Sequence, residues 1–283
     1  MKKIRLTNLL IVMTTIMTFG SLMAQEKNFS NKKGVGIVAH RGFWNCDEGG
    51  YAKNSIASLK AAQDAGFWGS EFDVNMTADE KLIVFHDDKI DGKAIDKNNY
   101  ETFKDVTLSN GEKMPTLDEY LTQGKKSKET VLVYELKKRS NTELENRFVD
   151  LTIESLKKHK LLKPSRVIFI SFSKNICERL ADKLPKSFTI QYLGSQYKPQ
   201  EVLESGINGI DFNYKIFYLN PKWISKAKEL GMSTNSWTVN KEKDITKIID
   251  MGIDYITSDY PLLVRDILKS KATSCCKGDS CQK

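Results

Sequence analysis

The sequence has few histidines and prolines, and it lacks any long block of charge of one sign. There are three histidines and six prolines in 283 residues. No stripe of basic residues interleaved with aromatic residues is present, so a nucleic-acid partner is not expected. The formal net charge of +8 is scattered over many lysines, which indicates a solvated surface. Hydrophobic residues make up 40% of the chain, enough for one large core and too many for global disorder.

A long apolar run is missing after residue 24, so no later segment is expected to cross a membrane. Three basic residues among the first five precede the uncharged stretch 6–24, which ends in small residues. This order is typical of an export signal. We expect cleavage of residues 1–24, a polar linker over 25–34, and a mature protein that is periplasmic or secreted. An uncleaved membrane anchor is the alternative, because the stretch just reaches spanning length.

The cysteines match no strong zinc pattern, since no histidine accompanies the group at the end of the chain. Of five cysteines, Cys275, Cys276 and Cys281 fall within the sequence CCKGDSC. Export makes disulfides possible, and the odd count leaves at least one thiol over. We expect a disordered tail over 271–283 that can oxidise, with a metal-binding or redox tail as the alternative.

Short apolar runs alternate with amphipathic stretches from residue 36 onward. The runs are rich in Val, Ile, Phe and Tyr, which favours strands. Helical spacing lies between them at 54–66, 146–161 and 220–231. This alternation predicts an α/β fold in which helices cover a parallel sheet. The nine predicted strands are 36–40, 70–74, 82–86, 131–137, 167–172, 188–193, 207–212, 233–237 and 254–260.

The third predicted strand lies too close to the second for a parallel connection. Only residues 75–81 separate them, whereas a parallel crossover needs about a dozen residues. We therefore predict a hairpin over 70–86, which leaves eight parallel strands and a TIM (β/α)8 barrel spanning 35–270. The polar segment 87–118 is predicted to be an insertion that shapes access to a site.

Two of the three histidines, His40 and His86, end apolar strands, where a TIM barrel carries its catalytic groups. The predicted hairpin places His86 opposite Glu71 or Asp73, which lie two residues apart and so share one face of a strand. The pattern favours a functional site at this end of the barrel. His159 lies in a lysine-rich helix and is expected on the surface.

Three carboxylates, Glu71, Asp73 and Glu135, interrupt otherwise apolar strands. A buried carboxylate requires a partner. The partner is either a cation of the chain, Arg41 or Lys137, or a hard divalent cation bound by oxygen ligands. The all-oxygen set disfavours a structural zinc site. Arg41 and Lys137 also suit an anionic substrate, because guanidinium and ammonium groups are the usual donors to phosphate.

The residues just named lie in blocks that together resemble the glycerophosphodiester phosphodiesterase family. The blocks follow the family order from residue 36 to about 265, and the set of HRG, E-x-D and HD is its most specific part. The resemblance implies a TIM barrel with a small insertion after HD. The blocks are AHRGFW (39–44), KNSIASLKAA (53–62), GSEFDVNMTADEKLIVFHDD (69–88), YELK (134–137), SWTVN (236–240) and ITSDYP (256–261).

The resemblance implies metal-dependent hydrolysis of a glycerophosphodiester to glycerol 3-phosphate and an alcohol. One divalent cation, Ca²⁺ or Mg²⁺, is implied, and the nucleophile is either water or a neighbouring hydroxyl of the substrate. Two alternatives stay open: a phospholipid-cleaving phosphodiesterase or lyase on the same barrel, and a surface protein that binds glycerophosphodiesters without turnover. The implied residues are the acid–base pair His40 and His86, the metal ligands Glu71, Asp73 and Glu135, and the substrate contacts Arg41, Lys137 and Trp237.

The chain departs from the family pattern at one position. The family usually reads P-E-N-T after HRG, whereas this chain reads AKNS (52–55) after an additional DEGGY, so that Lys53 replaces a glutamate. The carboxylate that would orient Arg41 or contact the metal is then missing, or Asp47 or Glu48 replaces it. The additional cation predicts a preference for substrates more negative than glycerophosphocholine, such as glycerophosphoinositol.

Overall fold

The structure is a computed structural model that describes the backbone of residues 34–278 and the side chains up to residue 273. The predicted signal peptide, nearly all of the predicted linker, and Cys281 lie outside the described residues. No helix in the described part of the chain is both long enough and apolar enough to span a bilayer.

Eight parallel strands close into a barrel, as predicted. Closure occurs where β1 pairs with both β2 and β11, which leaves the barrel without an open edge. The strands are β1 (Gly36–Ala39), β2 (Gly69–Met76), β3 (Leu82–Val84), β4 (Lys89–Ile90), β5 (Lys93–Ala94), β6 (Val131–Leu136), β7 (Val167–Ser171), β8 (Thr189–Tyr192), β9 (Gly209–Asn213), β10 (Ser233–Trp237) and β11 (Tyr255–Ser258). Of these, β3, β4 and β5 lie outside the parallel set.

Helices connect the barrel strands and pack outside them. Polar caps fix where several begin; the Ser55 side chain, for example, accepts the backbone N–H of Ser58 at the start of α1. The last helix continues past residue 270, where the barrel was predicted to end. The helices are α1 (Ile56–Asp64), α2 (Leu117–Gly124), α3 (Thr142–Lys158), α4 (Lys174–Lys183), α5 (Pro199–Glu204), α6 (Tyr214–Leu219), α7 (Trp223–Glu229), α8 (Glu242–Asp250) and α9 (Pro261–Gly278).

The two-residue period of the strands separates two cores. In β6, Leu132 and Tyr134 join the large cluster formed with the surrounding helices. Their neighbours Val131 and Val133 join a smaller cluster with inward residues of other barrel strands, such as Ile168. The smaller cluster fills the lower part of the barrel. Other side chains also point into the barrel, nearer the carboxyl ends of the strands. They therefore lie on top of this apolar layer.

The predicted hairpin is confirmed. β3 pairs antiparallel with β2, with Val74 opposite Val84 and Met76 opposite Leu82. The turn is closed by Thr77, whose N–H donates to the Lys81 carbonyl at 3.0 Å. The strand β3 ends before His86, so this histidine lies on the loop that leaves the hairpin at the carboxyl end of β2.

The insertion after the hairpin has a small apolar core of its own, which its polar composition concealed. Ile90, Ile95, Phe103 and Met114 pack on Ile83 of the hairpin. In the sequence these insertion residues are isolated, and each has at least one charged neighbour. In the folded chain they form one cluster. The insertion is therefore a folded element attached to the hairpin rather than a polar loop.

The prediction that His159 lies on the surface was wrong. His159 is 8% exposed and caps the carboxyl end of α3. Its Nε2 lies 2.9 Å from the Oδ1 of Asp118 in α2. The neighbouring Lys157 and Lys160 are exposed, and Lys158 also reaches Asp118, with 2.7 Å between its Nζ and Oδ2. The cap position turns the imidazole toward α2.

Replacing Phe103 by alanine should destabilise the protein by about 3–5 kcal/mol, because the ring is 1% exposed in the core of the insertion. Urea unfolding measures this change. Leu219→Ala is the control, since Leu219 is 77% exposed and its removal should change the free energy of unfolding by less than about 0.5 kcal/mol. Equal effects of the two substitutions would show that the insertion is not a packed part of the fold.

Candidate active site

Three carboxylates meet at the carboxyl ends of the neighbouring strands β2 and β6. Glu71 and Asp73 occupy successive inward positions of β2, and Glu135 lies opposite Asp73 in the parallel register. One oxygen of each carboxylate lies within 4.8 Å of the others, and all three side chains are buried. The E-x-D spacing and the strand register thus bring Glu135 to two carboxylates that lie more than sixty residues before it in the sequence.

Two cations and one amide contact this cluster. The Nε of Arg41 lies 3.5 Å from Asp73 Oδ2, and the Nζ of Lys137 lies 3.3 Å from Asp73 Oδ1. The same Nζ is 2.8 Å from Glu135 Oε1. The Nδ2 of Asn54 donates to Asp73 Oδ2 at 2.9 Å. The ion pair of Lys137 with Glu135 that the sequence suggested is therefore present, whereas the guanidinium group of Arg41 pairs with Asp73 rather than with Glu71.

The chain turns sharply after β1 so that its amides face Glu71. Arg41 and Gly42 both have positive φ angles, 56° and 80°. The N–H of Arg41 donates to Glu71 Oε2 at 2.7 Å, and the N–H of Gly42 donates to the Glu71 carbonyl at 2.9 Å. A Cβ at position 42 would lie 2.2 Å from the Oγ of Ser58, so only glycine fits there. The HRG sequence therefore holds two backbone donors against Glu71, one on its side-chain carboxylate and one on its main-chain carbonyl.

The protonation of the cluster is shaped by burial and by mutual repulsion. Burial, together with the charges of Asp73 and Glu135, raises the pKa of Glu71 well above its usual range. Burial and the charge of Asp73 raise the pKa of Glu135 to about 7. Burial also acts to raise the pKa of Asp73, but the charge of Lys137, followed by those of His86 and Arg41, outweighs it and lowers this pKa. The three carboxylates cannot all be ionised without further positive charge.

The donor set fits a hard divalent cation. Glu71 Oε1 is buried and has no hydrogen-bond partner, although the other oxygen of the same carboxylate accepts from a backbone amide. An uncompensated buried oxygen of this kind requires a ligand. Three carboxylates with no sulfur or imidazole in the cluster match the oxygen preference of Ca²⁺ and Mg²⁺.

His40 is oriented by a chain of hydrogen bonds from the last barrel strand. Its Nδ1 lies 2.8 Å from Asp259 Oδ1, and Asp259 also accepts from Trp44 Nε1 at 3.2 Å and from Asn240 Nδ2 at 2.7 Å. Burial acts to raise the pKa of Asp259, but these hydrogen bonds outweigh it and lower the pKa to about 2. The ionised carboxylate only accepts, so Nδ1 of His40 carries the proton. Its Nε2 then faces Glu71, with 3.9 Å to Oε2.

His86 is held through its own loop. Its Nδ1 lies 2.6 Å from Asp87 Oδ1. The side chain of Asn75 donates to the carbonyls of Phe85 and Asp87 at 2.8 and 3.0 Å, so it clamps the backbone on both sides of the histidine. Asn75 is in turn hydrogen-bonded by the buried Arg139. Burial is the main cause that lowers the pKa of His86, which favours the neutral imidazole.

A cavity of about 280 Å³ is lined by six of the eight predicted site residues; Asp73 belongs to the carboxylate cluster and Lys137 contacts it, but neither lines the cavity. Both histidines, Arg41, Glu71 and Glu135 line its polar side. Its other side includes Trp237, which stands edge-to-face against Phe172 with 5.5 Å between ring centroids. The further lining residues are Ile170, Leu193, Asp211, Thr238 and Thr257.

A second cavity of about 260 Å³ adjoins the first, because Arg41 and His86 line both. Its outer wall includes Lys53, whose Nζ lies 4.5 Å from the centre of the Trp44 ring. Asp47 and Glu48 are exposed and lie outside the carboxylate cluster, so neither replaces the glutamate missing at position 53.

The structure adds residues that the sequence analysis missed. Asn54 lies shortly before α1 and Asn75 lies in β2. The sequence analysis did not single them out, because a neutral amide carries no charge that would stand out at these positions. Asn240 and Asp259 stand in the SWTVN and ITSDYP blocks, but the sequence gave no reason to connect them with His40. Asp211 is buried in β9 and lines the larger cavity.

Comparison with known proteins places the chain in one family. The model of the Glycerophosphoryl diester phosphodiesterase family matches residues 40–263. The chain is 28% identical to the glycerophosphodiester phosphodiesterase of Bacillus subtilis, over 87% of this chain and 90% of that protein.

Solved structures agree with this result. A glycerophosphodiester phosphodiesterase from Parabacteroides distasonis is 41% identical, covers 86% of this chain and 100% of its own, and gives a TM-score of 0.81. A phosphodiesterase from Oleispira antarctica, solved with the product sn-glycerol-3-phosphate, shares the fold at 23% identity, with a TM-score of 0.68 over 83% of this chain and 96% of its own. Given the extent of the family match and the identity to the Parabacteroides enzyme, this chain is an enzyme of the glycerophosphoryl diester phosphodiesterase family.

Proposed function

We propose that this enzyme hydrolyses glycerophosphodiesters to glycerol 3-phosphate and an alcohol with the help of one divalent cation, Ca²⁺ or Mg²⁺. The observation that carries the proposal is one cavity lined by two carboxylate-bonded histidines, by Arg41, and by Glu71 and Glu135 of a cluster of three buried carboxylates. The names of the relatives support the substrate class. Residues 1–24, which lie outside the described part, support the further proposal that the enzyme is exported.

The cation would be held by Glu71, Asp73 and Glu135, the cluster whose buried oxygens lack sufficient positive charge. When bound, it supplies charge that neutralises a non-bridging phosphate oxygen and favours the nucleophile. Arg41 and Lys137 already stand at this cluster and would donate to the remaining oxygens of a bound phosphate. Because both cations are held by carboxylates before substrate binds, their charge needs little reorganisation during the reaction.

The two histidines divide the proton transfers. Each presents Nδ1 to an aspartate, and each lines the cavity, so Nε2 is the atom left to exchange a proton with substrate. One removes the proton of the attacking oxygen and the other protonates the departing alkoxide. The attacking oxygen belongs to water or to a neighbouring hydroxyl of the substrate, and trapping of a cyclic phosphate would identify the second route.

The adjoining cavity offers a place for the alcohol group that leaves. It meets the larger cavity at Arg41 and His86, so a phosphate bound there would project one substituent toward Lys53. Lys53 is exposed and its ammonium group lies beside an aromatic ring rather than a carboxylate in the described structure. We propose that it favours head groups that carry negative charge.

Phospholipid cleavage is less well supported. That activity would call for several apolar side chains exposed at the barrel mouth. Phe172 in the cavity wall is 44% exposed, but Phe43 and Phe67 are buried against each other, with 5.2 Å between their ring centroids. Trp68 stacks on Tyr255. A binding protein without turnover is also less well supported, because both histidines and all three carboxylates are in place.

His40→Ala and His86→Ala should each reduce the release of glycerol 3-phosphate from glycerophosphoethanolamine by about 10²–10⁴-fold, since each removes a proton-transfer group. Release is measured with Ca²⁺, Mg²⁺ or a chelator, alongside the unfolding temperature. His159→Gln is the matched control, because the third histidine contacts Asp118 and lies outside the cavity. Full activity in either alanine variant, or no dependence on a divalent cation, would contradict the proposed mechanism.

The affinity for Mg²⁺ or Ca²⁺ should fall as the pH drops below about 7. The pKa of Glu135 is raised to about 7 and that of Glu71 is also raised, so below this pH the cation must displace protons from its ligands. The loss should be about tenfold per pH unit for each proton displaced. Calorimetric titration at pH 6, 7 and 8 measures it. Glu135→Gln should abolish tight binding, whereas the exposed control Glu129→Gln should leave it unchanged; an affinity that is constant over this pH range would refute the assignment.

Lys53→Ala should lower the ratio of kcat/KM for glycerophosphoinositol to that for glycerophosphoethanolamine by about twofold to fivefold. An exposed charge contributes up to about 1 kcal/mol, and the inositol substrate carries the greater net negative charge. Lys128→Ala removes an exposed lysine that lines neither cavity and should leave the ratio unchanged. A ratio that is the same in both variants would show that Lys53 has no part in selecting the head group.

A further inference from the structure

Asp211 is a buried carboxyl group in the wall of the larger cavity that the proposed mechanism does not use. It occupies an inward position of β9 and is 1% exposed. Its Oδ2 accepts from Asn235 Nδ2 at 3.1 Å. Its Oδ1 is buried without a hydrogen-bond partner. A buried acceptor without a partner in a cavity wall indicates a position where a ligand donates.

The neighbouring strands fix the direction of this carboxyl group. Asn235 lies opposite Asp211 in the register of β9 and β10. Its amide is engaged on both sides: Nδ2 also donates to Thr257 Oγ1 at 3.1 Å, and Oδ1 accepts the N–H of Ser236 at 2.7 Å. Asn235 therefore cannot turn to satisfy the other oxygen. That oxygen is left for a group that enters the cavity.

Trp237 and Asp211 are positioned as a unit. The indole Nε1 of Trp237 donates to the main-chain carbonyl of Asp211 at 2.9 Å. The indole ring therefore supplies an apolar surface, and the carboxyl group supplies a hydrogen-bonding group beside it in the same wall of the larger cavity. A short carbon chain that bears hydroxyl groups matches this combination, since its carbons contact the ring and a hydroxyl reaches the carboxyl group.

A hydroxyl fits this position better than an ammonium group. Burial and the nearby charge of Glu135 raise the pKa of Asp211 well above its usual range, so its proton can be present or absent. A hydroxyl can donate to the ionised carboxyl group or accept from the protonated one. An ammonium group would instead lie in a cavity that already holds Arg41 and, when bound, the divalent cation.

We propose that Asp211 hydrogen-bonds a hydroxyl of the glycerol group and so selects glycerol-bearing substrates over phosphodiesters that lack it. Asp211 is a specificity-determining residue in this proposal, which rests on the proposed function. It assigns the glycerol half of the substrate to the cavity of Trp237 and Asp211, and the departing alcohol to the side of Lys53.

The test compares two ligands that differ only in hydroxyl groups, sn-glycerol 3-phosphate and n-propyl phosphate. Their dissociation constants are measured by calorimetry on the metal-loaded wild type and on Asp211→Ala. Wild type should bind glycerol 3-phosphate about tenfold to a hundredfold more tightly, because propyl phosphate leaves the buried Asp211 oxygen without a hydrogen-bond partner. In Asp211→Ala the two ligands should bind almost equally, with propyl phosphate little changed.

Gln191→Ala is the matched control. Gln191 is also buried inside the barrel with an unpartnered oxygen, but it does not line the cavity. It should keep the wild-type preference for glycerol 3-phosphate. Asp211→Asn retains the shape of the side chain, and an intermediate preference there would support the hydrogen bond if the alanine variant is too unstable to measure.

Two results would overturn the inference. One is an unchanged preference in Asp211→Ala; the other is a loss of Mg²⁺ or Ca²⁺ affinity in that variant without phosphate ligand, which would make Asp211 part of the metal site. Failure of the proposed function gives a different result, because wild type would then release no glycerol 3-phosphate from glycerophosphoethanolamine.

Discussion

The repulsion among three buried carboxylates is the constraint on which the rest of the site depends. Glu71, Asp73 and Glu135 share a space in which their charges cannot coexist without compensation. Arg41 and Lys137 supply part of the positive charge, and the turn through HRG adds backbone donors. What remains uncompensated favours a divalent cation and, beside it, an anionic substrate. The proposed cofactor and the proposed substrate class thus rest on the same imbalance of charge.

The barrel provides the two environments that this site needs. The inward residues near the amino ends of the strands are mostly aliphatic, and they pack into one apolar layer of the barrel core. Several inward residues at the carboxyl ends are ionisable, and their electrostatic interactions are strengthened because they are buried. A strand with two-residue alternation can supply both, since Val131 and Val133 precede Glu135 along one face of β6. The amino-terminal part of such a strand therefore contributes to the stability of the barrel, and its carboxyl-terminal part contributes side chains to the site.

The sequence predicted the features that depend on local pattern. Strand periodicity located all the barrel strands, and the short spacing after β2 revealed the hairpin that brings His86 to Glu71 and Asp73. It did not predict contacts set by barrel closure, such as that between His40 and Asp259, which are 219 residues apart. Neutral side chains such as Asn75 also went unnoticed, because an amide shows its role only through its partners. The burial of His159 was missed for a related reason: a cap position reverses the outward direction that the neighbouring lysines suggest.

The link between His40 and Asp259 has a consequence for the order in which the protein becomes active. The histidine follows the first barrel strand, and the aspartate that sets its tautomer follows the last. A growing chain on the ribosome carries His40 long before Asp259 is synthesised. A partly made barrel, or one cut before its final strand, lacks the group that orients this imidazole. The orientation of this imidazole in the proposed mechanism therefore depends on a complete ring of strands.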